Sequence, residues 1–222
     1  MKKIISIILV LAMALAFAAC GGDDSKDTAN NEGTNAPAGT ESQAPADTQA
    51  PASDMAAVDV LTSIYGSYTD DEKVFPVCGG DQNNMVDNAP GAYALTDAAM
   101  MDSMLGIPEA EVGKLDSAAS MIHMMNANTF TSAAYIVNDG TDVDALLEAI
   151  KTDINSKQWM CGFPETLVTL KSGNIIVTAF GADDLIQVFK THALNAVDGM
   201  TLVFEGPVEF GGDGMSQVPG LG

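Results

Sequence analysis

The sequence predicts an α+β fold in which a single antiparallel sheet carries its helices on one face. Three observations support this prediction: two pairs of apolar strand-like segments are joined by short polar turns, each pair precedes an amphipathic helix, and a last strand-like segment follows. Alternating and helical spacings of apolar residues are the main indicators of strands and helices. Hairpins followed by helices pack most economically as one sheet with a helical layer, so we expect two tandem ββα units.

Two short helices are expected before these units. The first spans residues 54–66, where four apolar residues recur at helical spacing: Val58, Leu61, Ile64 and Tyr65. Residues 69–91 are rich in Gly, Asn, Asp and Pro, and they are expected to be irregular. Thr96 is expected to cap the second helix, residues 97–105, which Gly106 ends.

The first ββα unit pairs strands over residues 115–125 and 129–137. Its helix is expected to begin at Thr141 or Asp142 and to end near Lys157. The apolar stripe of this helix consists of Val143, Leu146, Leu147, Ile150 and Ile154.

The second unit pairs residues 165–170 with residues 174–180 around a Ser-Gly turn. Its helix is expected to begin at Asp183 or Asp184 and to end near Ala196. The inward side chains of this helix are Leu185, Val188, Phe189 and Ala193. Residues 200–204 form the last expected strand.

The first twenty residues have the pattern of an export signal. Lys2 and Lys3 precede an apolar run from Ile4 to Phe17, and small residues then lead to Cys20. A basic start, an apolar run and small residues before a cleavage site are typical of a secretory signal.

The segment Phe17-Ala18-Ala19-Cys20 resembles the cleavage site of bacterial lipoproteins. In that family the Cys thiol receives a diacylglyceryl group, the peptide is cut before it, and the new N-terminus is usually acylated. The resemblance implies a protein anchored to the cell membrane through Cys20, on the extracytoplasmic face. The alternatives are an ordinary signal with a chance cysteine and a retained membrane helix, for which the run is shorter than the ~20 residues needed.

The expected organisation has four segments: a signal peptide (residues 1–19), a disordered polar linker (20–53), a globular α+β domain (54–205) and a flexible Gly-rich tail (206–222). After Cys20 the linker has no aromatic, Leu, Ile, Val or Met residue. Such a segment cannot bury enough apolar surface to offset its chain entropy.

Composition limits the partners and cofactors that we expect. The chain has a formal net charge of −21 at pH 7 and contains no arginine. Nucleic acid is not an expected partner, because phosphate binding needs a basic face. Anionic lipid headgroups would repel the domain, so membrane attachment is expected through the diacylglyceryl group on Cys20. The sequence indicates no cofactor.

The stretch from Tyr93 to Ala196 resembles a domain of unknown function found in lipoproteins of Gram-positive gut bacteria. The residues that carry the resemblance are Ala94-Leu95-Thr96, Leu105-Gly106-Ile107, Met124 to Phe130, Gln158 to Pro164 and Ser172 to Val177. The resemblance implies a surface lipoprotein of α+β type, and it supplies no activity, substrate or catalytic residue.

Two cysteines, Cys78 and Cys161, follow Cys20. Outside the cytoplasm a disulfide between them is chemically permitted. The bridge would close a loop of about 80 residues, which the chain-entropy treatment values at ~4 kcal/mol. The alternative is two separate buried thiols.

Four carboxylates surround the start of the first predicted long helix: Asp139, Asp142, Asp144 and Glu148. Oxygen clusters of this kind suit hard cations such as Ca²⁺, although the spacing departs from that of the EF-hand calcium loop. The alternative is a capped helix whose dipole favours acidic residues in its first turn.

Sulfur-bearing residues and one histidine form a second candidate metal site. They are Met100, Met101, Met104, Met121, His123, Met124 and Met125. Thioethers with an imidazole suit Cu(I), which prefers soft ligands. The alternative is a methionine-padded core or an adaptable apolar surface.

Catalysis would need one of the two histidines, His123 or His192, beside a nucleophile such as Cys78 or Cys161. No Gly-x-Ser-x-Gly elbow is present, and the acidic run Asp70-Asp71-Glu72 is expected to be a solvated loop. Trp159 either forms an aromatic shelf with Phe163 and Pro164 for sugar or peptide, or anchors the core.

These patterns favour a lipid-anchored extracytoplasmic protein that binds or scaffolds an unknown ligand or protein at the cell surface without catalysis. A metal-binding lipoprotein is one alternative function, and a cell-wall hydrolase is another.

Overall fold

The fold combines helices with an antiparallel sheet, as predicted. The computed structural model describes residues 55–160 and 162–209. The elements are α1 (Ala57–Gly66), β1 (Val77–Gly79), β2 (Val86–Asp87), β3 (Gly91–Tyr93), α2 (Ala98–Leu105), a 3₁₀ helix (Glu109–Lys114), β4 (Leu115–His123), β5 (Phe130–Val137), α3 (Val143–Ser156), β6 (Thr166–Ser172), β7 (Ile175–Gly181), α4 (Asp183–Ala196) and β8 (Thr201–Pro207). The predicted signal peptide, Cys20, the linker, Cys161 and the tail after residue 209 lie outside the described residues.

The strands pair in the order β2-β1-β4-β5-β7-β6-β8, and β3 pairs with β4 beside β1. The expectation that residues 69–91 are irregular is wrong, because β1, β2 and the first residue of β3 form there. The pairs Cys78↔Ile122 and Ala92↔Ala119 attach β1 and β3 to the same edge of β4. Pairing with a long neighbouring strand outweighs the turn-rich composition of this segment.

The helices cover both faces of the sheet, so the prediction of helices on one face is wrong. The first core joins α1 and α4 to one face, and its helical members include Val60, Leu61, Ile64, Ile186 and Phe189. The second core joins α2 and α3 to the other face, and its helical members include Met101, Leu105, Leu146, Leu147 and Ile150. Since α3 and α4 pack on opposite faces, the two strand-strand-helix segments are not packed equivalently.

The central strands explain why two helical layers are needed. Every residue of β5 and β7 is buried. Successive side chains of a strand point to opposite faces, so a fully buried strand must be covered on both sides. In the sequence, β5 reads as a run of apolar and small residues without polar alternation, which is typical of a strand covered on both sides.

Helix and strand ends differ from the predictions by up to three residues, as at the start of α1 and the end of β8. Asp97, and not Thr96, caps α2, because its Oδ1 accepts the Met100 N–H at 3.1 Å. The inward side chains of α4 include Ile186 in addition to Phe189 and Ala193. β8 continues to Pro207, two residues beyond the predicted end of the domain.

Candidate functional site

A cleft of about 310 Å³ opens beside α2 on the side of the second core. We call it the methionine cleft, and its sulfur-bearing lining residues are Cys78, Met85, Met100, Met104, Met124 and Met125. Met85 and Met125 are 64% and 79% exposed. Contiguous exposed apolar side chains mark interaction sites on soluble proteins, so this cleft is the main candidate site of the domain.

The base of the cleft is built where β1 and β3 meet along β4. A Cβ atom on Gly79 would lie 2.0 Å from the Gly91 nitrogen, so only glycine permits this approach. The Ser120 hydroxyl donates to the Gly80 carbonyl at 3.1 Å and accepts the Gly80 N–H at 3.0 Å. These contacts hold Gly80, a lining residue, at a defined position on the sheet.

Asp81 fixes the loop that follows β1. Its carboxylate accepts the Asn83 N–H at 2.7 Å and the Ala94 N–H at 3.0 Å. These two backbone hydrogen bonds lower the pKa of Asp81 below its ordinary value. Asp81 therefore supplies a negative charge at the cleft, while its oxygens are used to hold the loop.

The sulfur-bearing residues of the predicted metal site lie in two environments, the cleft and the buried cores. Met100 and Met104 lie one turn apart on α2 and line the cleft with Met124 and Met125, as do Cys78 and Met85, which were not in the set. Met101 lies in the second core and Met121 in the first, and both are at most 1% exposed. Helical spacing could have separated Met101 from the other two, because residues four apart share a helix face.

His123 forms hydrogen bonds with the backbone of the turn that follows it. Its Nδ1 accepts the Met125 N–H at 3.1 Å and the Asn126 N–H at 3.2 Å, so the ring proton belongs on Nε2. The ring stacks on Phe75 with centroids 4.7 Å apart. In this arrangement His123 shapes the turn after β4, and its Nδ1 lone pair is occupied by two backbone N–H groups.

Cys78 and His123 do not form a nucleophile-base pair. Val77 pairs with His123 and Cys78 with Ile122, so the His123 ring and the Cys78 thiol lie on opposite faces of the sheet. Cys78 is a free thiol, and burial followed by the charge of Asp87 raises its pKa. The predicted partner Cys161 lies outside the described residues, so the disulfide stays a prediction.

His192 lies in a serine-histidine-glutamate arrangement. Its Nδ1 is 2.8 Å from the Ser67 Oγ, and its Nε2 is 3.1 Å from the Glu72 Oε2. Ser67 donates its own proton to the Ile64 carbonyl at 2.6 Å, so its hydroxyl accepts from His192. The serine is therefore not activated as a nucleophile. These two contacts of His192 tie α4 to the end of α1 and to the loop that follows it.

Asp70, Asp71 and Glu72 lie in a turn, where the two aspartates are exposed and Glu72 is partly exposed, and Glu72 also accepts hydrogen bonds from Thr69. Hydrogen bonds from the Thr69 backbone and hydroxyl, followed by His192, lower the pKa of Glu72 from 4.5 to about 2. A depressed carboxylate pKa contributes stability that is present above its ordinary pKa and is lost as the pH falls towards the folded-state value.

We therefore expect Glu72→Gln to lower the Tm at pH 7, with a difference from the unmodified protein that shrinks as the pH falls from about 4.5 towards 2. Thermal unfolding followed by circular dichroism across this range measures the effect. Asp71→Asn is the neighbouring control and should change the Tm little. A Glu72→Gln difference that stays constant with pH would contradict the assigned role.

The four predicted metal ligands do not converge. Asp142 caps α3 by accepting the Ala145 N–H at 3.0 Å, Asp144 pairs with Lys171, Glu148 pairs with Lys151, and Asp139 is exposed. Across residues 55–160 and 162–209, no three His, Cys, Asp or Glu side chains are grouped to hold a metal ion. The described geometry matches the alternative of a capped helix.

Trp159 packs as an anchor of the second core, with its ring 5.3 Å from that of Phe180. Pro164 is buried and Phe163 is 62% exposed. A larger but more open depression of about 420 Å³ lies along α3. Both acidic residues that line it, Glu148 and Asp153, form ion pairs with lysines. The methionine cleft therefore remains the main candidate site.

No protein-family model, curated protein or solved structure matches the chain. The resemblance to a lipoprotein domain therefore stays a prediction. No helix in the described part of the chain has the length and hydrophobicity needed to cross a bilayer.

Proposed function

We propose that this protein is a non-enzymatic binding domain, anchored by lipid at the extracytoplasmic face of the cell membrane, that holds its ligand in the methionine cleft. The observation that carries the proposal is the cleft itself. Methionines from three separate segments, the β1–β2 loop, α2 and the β4–β5 turn, line one opening. Unbranched thioether side chains adapt to the shape of a ligand, so such surfaces are suited to binding.

The catalytic alternative has less support from the site. The Cys78 and His123 side chains leave their paired strands on opposite faces, the His123 Nδ1 already accepts two backbone N–H groups, and Ser67 donates its proton to the Ile64 carbonyl. A general base must lie within hydrogen-bond reach of the proton that it removes. The geometry of the described residues therefore favours binding over hydrolysis.

The export-signal pattern that ends at Cys20 supports the proposed anchor, and the polar linker would hold the domain away from the acidic membrane surface. We expect a bacterial host to incorporate labelled palmitate into the full chain and to retain it in the membrane fraction. Cys20→Ser should lose both the label and the membrane retention. Membrane retention of the Cys20→Ser variant would contradict lipid anchoring.

The cleft is tested with Nile red, a neutral apolar dye that the acidic surface does not repel. We expect saturable binding with a blue-shifted emission, weakened at least about 10-fold in a Met85→Lys, Met125→Lys double variant, since burying lysine charge costs more than 1.4 kcal/mol. Met160→Lys is the matched control, because Met160 is 80% exposed and does not line the cleft. Equal binding by the two variants would place the dye elsewhere.

A further inference from the structure

We infer that the methionine cleft binds a monovalent soft metal ion, Cu(I), through the Cys78 sulfur and the thioethers of Met100 and Met104. The inference rests on the proposed function, because it names the ligand class of the same cleft. It requires the sulfur atoms to be gathered at the site, harder donors to be occupied, and the local charge to favour a cation.

Sulfur-bearing side chains are concentrated at the cleft and are not spread evenly through the domain. Half of the methionines in the described residues line this one cleft, and Cys78 lies among them. Met100 and Met104 share one face of α2, and both pack at the edge of the second core with Cys78. These three side chains are therefore held by the fold, whereas Met85, Met124 and Met125 are exposed at the cleft.

Two of the harder donors that line the cleft, Asp81 and His123, are already engaged. Asp81 accepts backbone N–H groups through both carboxylate oxygens, and the His123 Nδ1 accepts two more. No group of three His, Cys, Asp or Glu side chains is assembled anywhere in the described residues. Thiolate and thioether ligands select Cu(I), whereas Ca²⁺ and Mg²⁺ need oxygen donors.

The charge of the cleft favours a cation. Asp81 lines it, and Asp87 lies close enough to Cys78 to act on the thiol electrostatically. Burial, followed by the charge of Asp87, raises the pKa of the Cys78 thiol. Binding then exchanges one cation for another: the Cys78 S–H bond breaks, an S–Cu(I) bond forms, the proton passes to solvent, and copper remains Cu(I) with no electron transferred.

The test uses the full chain in its Cys20→Ser form, purified without oxygen and titrated with Cu(I) supplied as its bicinchoninate complex. We expect one Cu(I) per chain to be withdrawn from the chelator, with X-ray absorption showing copper surrounded by sulfur. Cys78→Ser and a Met100→Leu, Met104→Leu double variant should each weaken binding at least about 10-fold, the lower end of the loss seen on perturbing metal sites.

The matched control is Met160→Leu, an exposed methionine outside the cleft, which should bind Cu(I) like the unmodified protein. Because Met→Leu conserves volume and hydrophobicity, the double variant should still bind Nile red. Cu(I) binding that is absent, or unchanged in the double variant, overturns the metal inference. Retained Nile red binding in that case leaves the proposed binding function standing, whereas loss of specific dye binding removes both.

Discussion

Gly106→Ala is expected to destabilise the domain by about 2–5 kcal/mol. Placing alanine in the left-handed backbone conformation costs about 1–2 kcal/mol, and overpacking the core costs about 1–3 kcal/mol. Gly106 follows α2 with φ of 73°, a conformation that glycine adopts without strain. A Cβ atom there would lie 2.2 Å from the Cγ1 of Ile154, which is fully buried in the second core. The clash would push α3 away from α2.

Gly140→Ala separates the two contributions. Gly140 has φ of 79°, and a Cβ atom there would have no neighbour within 4 Å. Its substitution should therefore cost only the backbone term of about 1–2 kcal/mol. Urea unfolding at pH 7 measures both variants, and equal losses would show that Ile154 does not crowd Gly106.

Phe189→Ala is expected to destabilise the domain by about 3–5 kcal/mol, the usual cost of removing a buried aromatic side chain. Phe189 is fully buried between α4 and the sheet, and its ring meets that of Phe130 edge-on at 5.7 Å. Truncation would leave a cavity in the first core and remove this aromatic contact.

Leu194→Ala is the control on the same helix. Leu194 is 37% exposed, so its truncation should cost about 1 kcal/mol, well below the cost at the fully buried Phe189. Urea unfolding compares the two variants. If Phe189→Ala cost no more than Leu194→Ala, α4 would not pack on the first core as described.

Periodicity was sufficient to predict the long elements because each carries its own signal. The α3 stripe from Leu146 to Ile154 is buried, and β6 and β7 form the hairpin expected around Gly173. The number of helical layers was not predicted, because it depends on where two separate helices pack and not on local spacing. The uninterrupted burial of β5 was the available indication, since a one-sided sheet would alternate apolar and polar residues.

The candidate site was predicted only in part, for a related reason. The sequence identified a sulfur-rich region around Met100 and Met125 but could not include Cys78 or Met85, which tertiary pairing brings to the cleft. Strand alternation separates Met121 from Met124, but it could not show that Met121 is buried in the first core. The acidic group near Asp142 was predicted from proximity in the chain, and helix capping and lysine pairs separate its members.

The central claim, that the methionine cleft binds Cu(I), is tested most directly by NMR with ¹³C-labelled methionine methyl groups. Cu(I) is diamagnetic, so each methyl signal can be followed during a titration and assigned by Met→Leu variants. We expect the methyl signals of Met100, Met104 and the exposed methionines of the cleft to shift, and those of Met101 and Met160 to stay unchanged. Shifts centred on Met160, or no shifts at any cleft methionine, would contradict this claim.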